Sequence, residues 1–157
     1  MAHNQISYTV SPAYFHEFKF RQFGIDTGLH NRIGASLVGF MASWWMGLVI
    51  GVPIYIAALF VKGTKPFVKS FVGAALLVVA TTLLVGIAAL VVSFVTVGPD
   101  TLPPWMRGRQ VSDPVAFARA GTMHNFSYLG GLIGLFLGLI YTIWQAVMRR
   151  RAAKSMV

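Results

Sequence analysis

The distribution of hydrophobic and polar positions divides the chain into three long apolar segments joined by more polar ones. The apolar segments cover residues 33–61, 71–97 and 126–148, and none contains an acidic, basic or histidine side chain. Each exceeds the roughly 20 residues that a helix needs to cross the hydrocarbon core of a bilayer. They also lack the polar stripe of a helix at a protein surface. The pattern therefore predicts an all-α integral membrane protein with three transmembrane helices.

The polar segments complete the predicted organisation. Residues 1–32 are predicted to be an interfacial or docking segment, and residues 62–70 are predicted to be a cytoplasmic basic loop. Residues 98–125 are predicted to form a partly helical extracytoplasmic loop, and residues 149–157 a basic cytoplasmic tail. Pro53 lies inside the first apolar segment, where we expect a kink rather than a break, because membrane helices tolerate proline.

The N-terminal segment has its own local signals. Ser11 and Pro12 are typical of a helix start, with serine as the cap and proline at the first helical position. Aromatic residues then alternate with basic ones, a mixture that favours the membrane interface, with a docking arm for a partner protein as the alternative. No apolar core of a cleavable signal peptide is found in this segment, and His3 is expected near a disordered end.

The loop 98–125 begins with a proline-rich stretch that favours neither helix nor central strand. Trp105, which follows it, is expected to anchor at the membrane interface. Asp113 and Pro114 indicate a new helix start. This helix is expected to break or bend near Gly121 and then continue into the third span.

Composition and charge narrow the functional classes. The chain is 56% hydrophobic and 11% charged, whereas soluble domains are about 25% charged. The formal net charge is +9, but the basic residues flank the apolar segments, which indicates contact with anionic lipid rather than nucleic acid. The sequence contains no cysteine, which excludes disulfides, thiol nucleophiles and cysteine-ligated metals.

The basic residues also predict an orientation. The loop 62–70 carries Lys62, Lys65 and Lys69 without an acidic residue, and the tail carries three arginines from Arg149 to Arg151 and Lys154. Three crossings place this loop and this tail on the same side, which the positive-inside rule makes cytoplasmic. We therefore expect the N-terminus outside and the C-terminus in the cytoplasm. The three-span pattern, together with a His-Asn pair before two of the spans, indicates an inner-membrane protein of bacterial type.

Small residues recur at every fourth position in the first and third spans. The two rows are Ala35, Gly39, Ser43, Gly47 and Gly51, and Gly130, Gly134 and Gly138. Such a row forms a groove in which another helix backbone can approach closely. We expect the two rows to pack against each other in parallel, within one chain or between chains; the alternative is that they reflect only the high frequency of glycine in membrane helices.

A His-Asn pair precedes each of these two spans, at His30-Asn31 and His124-Asn125. Helix direction places both pairs on the same side of the membrane, where the two histidines could bind haem or a metal ion. Asp26 and Asp113 lie in the same layer as further candidate ligands. The simpler interpretation is that the asparagines cap helices and the histidines face the lipid headgroups.

No recognisable catalytic set is found in the sequence, and no span carries an ionisable residue for a proton relay. The leading hypothesis is a non-catalytic accessory subunit of a larger membrane complex of the respiratory, photosynthetic or oxygenase kind. Its partners would be anionic lipids and other subunits, or further copies of the chain. The alternatives are a haem- or metal-binding protein using His30 and His124, and an oligomeric channel or transporter for a neutral solute.

Overall fold

The computed structural model describes residues 2–154, with side chains up to residue 152. These residues are mostly helical, and no strand occurs among them. Three of the helices are long and apolar enough to cross a membrane. The prediction of an all-α protein with three candidate membrane spans is therefore confirmed.

The helices, in chain order, are α1 (Ala2–Val10), α2 (Phe20–Gln22), α3 (Arg32–Ala58), α4 (Thr64–Thr96) and α5 (Pro114–Lys154). A π-helix, Tyr14–Lys19, precedes α2, and single turns of 3-10 helix occupy Thr27–Leu29 and Pro104–Met106. The candidate spans are α3, α4 and α5. Pro53 lies inside α3 without ending it.

Polar side chains cap the helix starts where the sequence predicts caps. The Ser11 hydroxyl accepts a hydrogen bond from the Tyr14 backbone N–H at 3.1 Å, and the helical turn begins at Pro12. The Asp113 carboxylate accepts from the Ala116 N–H at 2.9 Å, directly before Pro114. These bonds satisfy N–H groups that have no partner within the helix. Both predicted helix starts are confirmed.

Two local expectations are wrong. His3 does not lie at a disordered end, because α1 already begins at Ala2. Of the break or bend expected near Gly121, the break does not occur, because α5 is continuous from Pro114 onward. A Cβ at Gly121 would overlap the indole ring of Trp105. The glycine therefore serves close packing against Trp105 rather than a break in the helix.

Residue contacts divide the chain into two units, which are described separately. The first unit comprises Met1–Trp44 and Val85–Ser127. Its core is aromatic, with Phe15, Phe20 and Phe117 almost fully buried. This core draws residues from the N-terminal segment and the loop 98–125, so both segments are folded parts of the protein.

The second unit comprises Trp45–Leu84 and Tyr128–Val157. Ile54, Ala74 and Val78 form its buried centre. A Cβ at Gly134 would lie 2.9 Å from the Cα of Val78, so α5 passes very close to the backbone of α4 at this point. The bulky side chains outside this small core are mostly exposed, as expected where lipid is the solvent.

Candidate functional site

Helix α1 docks onto the first turns of α3 through polar contacts. The Asn4 amide donates a hydrogen bond to the Ala35 carbonyl at 2.9 Å. The Gln5 amide donates to the Arg32 carbonyl at 2.9 Å and to the Ser36 hydroxyl at 2.8 Å. Asn4 and Gln5 therefore hold α1 against the first turns of α3.

His3 on α1 lies against His124 on α5. The two imidazole rings meet edge to face, with centroids 4.4 Å apart. The Nε2 atom of His124 shares a hydrogen bond of 3.2 Å with the Ser7 hydroxyl, and the Tyr14 ring stacks on His124 with centroids 5.0 Å apart. Two elements from opposite ends of the sequence thus build one side of the candidate site.

Hydrogen bonds set the tautomer of His3. Because the Asn4 amide nitrogen donates to a carbonyl, the Asn4 Oδ1 atom accepts from Nδ1 of His3 at 3.1 Å. The lone pair of the neutral ring then lies on Nε2, which is buried without a hydrogen-bond partner among the described residues. A backbone interaction of the ring with Met123 favours its protonated form.

His16 and His30 form the other side of the site. The rings of these two histidines contact each other with centroids 5.7 Å apart, and both contact the buried Phe20. The Tyr8 hydroxyl shares a hydrogen bond with Nε2 of His16 at 3.1 Å. Nε2 of His30 donates to the Ile25 carbonyl at 3.0 Å. Each ring is therefore held by a polar partner as well as by stacking.

The two sides are joined through Phe15, whose ring contacts both His124 and Phe20. All four histidines of the sequence thus belong to one connected set of rings, here called the histidine cluster: His3, His16, His30 and His124. The π-helix contributes to this arrangement, because its wider turn buries Tyr14 and Phe15 together. Irregular turns of this kind are frequent at functional sites.

Burial controls the charge around the cluster. Desolvation lowers the pKa of His3, and the hydrogen bond with Asn4 opposes the shift without cancelling it. His3 is therefore neutral at pH 7. Desolvation, followed by the nearby charge of Arg109, also lowers the pKa of Lys19. The Lys19 ammonium lies 4.6 Å from the centroid of the Phe18 ring, which offsets part of its lost hydration.

An exposed contact ties the π-helix to the loop 98–125. The Ser112 hydroxyl donates to one carboxylate oxygen of Glu17 at 2.5 Å, and the Ser112 backbone N–H donates to the other at 3.1 Å. These bonds, the side-chain bond first, lower the pKa of Glu17. The loop is thereby held against the segment that carries His16.

The structure places the predicted ligands in separate surroundings. His30 joins His16 and Phe20, whereas His124 joins His3 and Tyr14. Asp26 accepts from the Gly28 N–H at 2.8 Å and caps a 3-10 turn, while Asp113 caps α5. Within residues 2–154, no group of three or more His, Asp or Glu side chains is close enough to hold a metal ion.

The two asparagines of the His-Asn pairs differ in role. Asn31 caps α3, because its side-chain oxygen accepts from the N–H groups of Ile33 and Gly34 at 2.8 and 3.3 Å. Asn125 is exposed in the interior of α5 and does not lie at a helix start. The capping interpretation therefore applies to the first pair alone.

The small-residue rows have different neighbours from those expected. Gly134 faces Val78 and Thr81 of α4, and Gly138 faces Ile54 of α3 as well as α4. Ala35, Gly39 and Gly130 are buried, and Ser43 is exposed. A Cβ at Gly47 or Gly51 would meet no atom within 4 Å. In the second unit the glycines of α5 thus pack mainly on α4, and packing of these rows between chains stays a prediction.

Sequence reasoning missed His3 and His16. A signal was present in the polar residues Asn4, Ser7 and Ser11, whose spacing of three and four positions indicates a helix with one buried polar face. Such a face needs hydrogen-bonding partners elsewhere in the chain. Following this signal would have placed His3 beside a buried surface.

Comparison with protein-family models, with curated proteins and with solved structures finds no match to this chain. The geometry of the molecule is therefore the basis for proposing a function. That geometry consists of a histidine cluster in an aromatic core and a partly open small-residue face on α3.

Proposed function

We propose that the protein is a non-catalytic accessory subunit of a larger membrane complex, and that it docks through the open part of the α3 small-residue row. The observation that supports this is the free space beside Gly47 and Gly51. The neighbouring Leu48 and Val52 are 58% and 51% exposed. An apolar face with a glycine groove suits a second helix, since close backbone approach drives helix association in lipid.

The proposal includes the bacterial inner membrane as location, with the N-terminus outside and the C-terminus in the cytoplasm. The support is the concentration of basic residues in two segments, the loop at Lys62, Lys65 and Lys69 and the tail from Arg149 to Arg151. Positive residues near span ends are retained in the cytoplasm. Accessibility of single cysteines introduced into each segment of this cysteine-free chain tests the orientation.

The experiment is extraction from native membranes in a mild detergent, followed by native electrophoresis and identification of copurifying chains. The wild-type chain should migrate in a complex larger than itself. The double variant Gly47→Leu/Gly51→Leu should be released from that complex, because the two side chains fill the groove. Its helical content should stay unchanged, because both positions face open space.

The matched control is Val49→Phe, which adds bulk at an exposed position on the opposite face of α3. This variant should remain in the complex. A wild-type chain that always migrates as a 17.1 kDa monomer would contradict the proposal. Masses at multiples of this value, with no other chain present, would indicate self-association instead.

A second candidate function is haem or metal binding by the histidine cluster. It is favoured by one feature: Nε2 of His30 donates to a backbone carbonyl, as the second nitrogen of a metal-bound histidine commonly does. Nδ1 of His30 would then be the candidate ligating atom, whereas His124, the other residue predicted from the sequence, stacks on Tyr14 and shares a hydrogen bond with Ser7. An absorption spectrum and metal analysis of the purified chain test this, and the absence of both haem and stoichiometric metal rejects it.

A further inference from the structure

A groove of about 600 Å³ runs along the first turns of α4 beside Tyr141 of α5, entirely within the second unit. Val68, Val72 and Leu76 line it, and their spacing of four places them along one side of the helix. All three are exposed, with Leu76 at 64%. The volume lies within the range of about 300–1,000 Å³ that is usual for ligand sites.

The existence of the groove depends on a glycine. A Cβ at Gly73 would lie 2.9 Å from the Tyr141 hydroxyl oxygen, so the absence of a side chain lets the Tyr141 ring approach the α4 backbone. The Tyr141 ring and the exposed valines then form the two apolar sides of the groove. Its surface suits a hydrocarbon chain rather than a polar solute.

Positively charged side chains lie at the end of the groove where α4 begins. Lys65 and Lys69 both line the groove, together with Thr64. Their spacing of four residues places both ammonium groups on one side of α4. The first turn of α4 adds backbone N–H groups that favour an anion. No acidic residue lies among the groove residues, so this positive charge is not neutralised from within the groove.

The length of the groove along α4 is close to the thickness of one leaflet of a bilayer. From Thr64 to Leu76 the helix rises roughly 18 Å, at about 1.5 Å per residue. Half of a typical hydrocarbon core is about 15 Å. A molecule with a phosphate at the lysines would therefore have its hydrocarbon chain beside Val72 and Leu76 at the depth where lipid tails lie.

We propose that this groove is a specific binding site for an anionic glycerophospholipid. The phosphate would contact Lys65, Lys69 and the Thr64 hydroxyl, and one acyl chain would lie between α4 and the ring of Tyr141. The proposal does not rest on the accessory-subunit function, since it concerns α4 and α5 rather than the open face of α3.

The test measures retention of phosphatidylglycerol by the full chain in a mild detergent, using native mass spectrometry over a range of lipid concentrations. One phosphatidylglycerol should bind more tightly than any further copies. The variant Lys65→Gln/Lys69→Gln should lose roughly 25-fold in apparent affinity, because each lysine near an anionic headgroup contributes roughly fivefold. Phosphatidylcholine, which has no net charge, should not show the tight first site.

Two controls separate a site from general attraction between charges. Arg149→Gln/Arg150→Gln removes the same amount of charge from exposed positions of α5 that do not line the groove, and it should retain the tight site. Val72→Trp leaves the charge unchanged but fills the groove, so it should lose the site, whereas Ile56→Trp at an exposed position of α3 should not.

Each result bears on the proposal. Equal losses in the lysine and arginine variants would overturn it, because the lipid would then respond to net charge alone. Equal binding of phosphatidylcholine would also overturn it, as would full retention in Val72→Trp. Circular dichroism of each variant establishes that the helices are intact, so that a loss of binding reports on the groove.

Discussion

The imidazole rings of His3 and His124 meet edge to face with centroids 4.4 Å apart. One residue lies in the first turn of α1, and the other lies in α5 just before the third apolar segment. The contact closes the N-terminal segment onto α5 within the first unit.

Docking of α1 should weaken as the pH falls. Burial lowers the pKa of His3 in the docked state, whereas an undocked His3 titrates near about 6.5. The undocked state therefore binds protons at higher pH, so the contribution of neutral His3 to docking is fully present above about pH 6.5 and is lost as the pH falls from there through the lowered pKa. Hydrogen exchange of the α1 amides at about pH 7.5 and about pH 5.5, corrected for intrinsic rates, measures this.

In His3→Gln this pH dependence should be reduced. Gln5→Ala, which removes hydrogen bonds to α3 without touching His3, should weaken docking similarly at both pH values. A His3→Gln variant with the full wild-type pH dependence would show that another group is responsible.

Asn4→Ala should destabilise the docked state of α1 by about 1–2 kcal/mol, because it removes a buried hydrogen bond and leaves Nδ1 of His3 without its acceptor. The opening free energy from hydrogen exchange of α1 gives the value. Thr9→Ala removes only exposed hydrogen bonds, including those that the Arg32 guanidinium donates to the Thr9 hydroxyl, so it should destabilise the docked state by less than Asn4→Ala does. Equal effects of the two variants would mean that the Asn4 contact with Ala35 does not hold α1.

Two glycines of the small-residue rows should respond oppositely to the same substitution. Gly134→Ala should destabilise the protein by roughly 1–3 kcal/mol, since the new Cβ would press on the backbone of Val78. Gly47→Ala should be neutral or stabilising by up to about 1 kcal/mol, because its Cβ meets open space and alanine is the better helix former. Reversible unfolding in mixed detergent micelles compares the two, and similar losses would contradict the assigned packing.

The bond between Ser112 and Glu17 should govern how the loop 98–125 responds to acid. In Ser112→Ala the pKa of Glu17 should rise towards its ordinary value, because the larger of its two stabilising hydrogen bonds is lost. The wild-type contact is present above the ordinary glutamate pKa and is lost as the pH falls through the lowered pKa of Glu17. Glu17 is the single glutamate of the sequence, so carboxyl ¹³C labelling of glutamate gives one titrating signal. An unchanged titration in Ser112→Ala would contradict this.

Local rules predicted those features that depend on neighbouring residues. The caps at Ser11 and Asp113 follow from short polar side chains placed next to proline. The length of the second span was predicted less accurately, since α4 begins at Thr64, well before its apolar segment. A helix continues for as long as its backbone bonds are favourable, and it does not need to stop where hydrophobicity ends.

Only part of the candidate site could be predicted from the sequence. His30 and His124 were singled out because a dipeptide recurs, but their ring partners come from segments distant in the chain. The role of Gly121 depends on Trp105 in the same way. Contacts of this kind arise from packing between elements, and no local pattern specifies which face of α1 meets which turn of α5.

The sequence alone determined that three uncharged segments form helices long enough for a bilayer, because burying so many apolar side chains requires lipid and lipid requires internally bonded backbone. Only the tertiary structure decided that the N-terminal segment packs against α5 and that the four histidines share one aromatic core. It also decided that Gly47 faces open space whereas Gly134 packs against the backbone of α4. The physical reason is the separation along the sequence of the residues that interact. Helix formation depends on residues one turn apart, whereas these contacts depend on how whole helices pack.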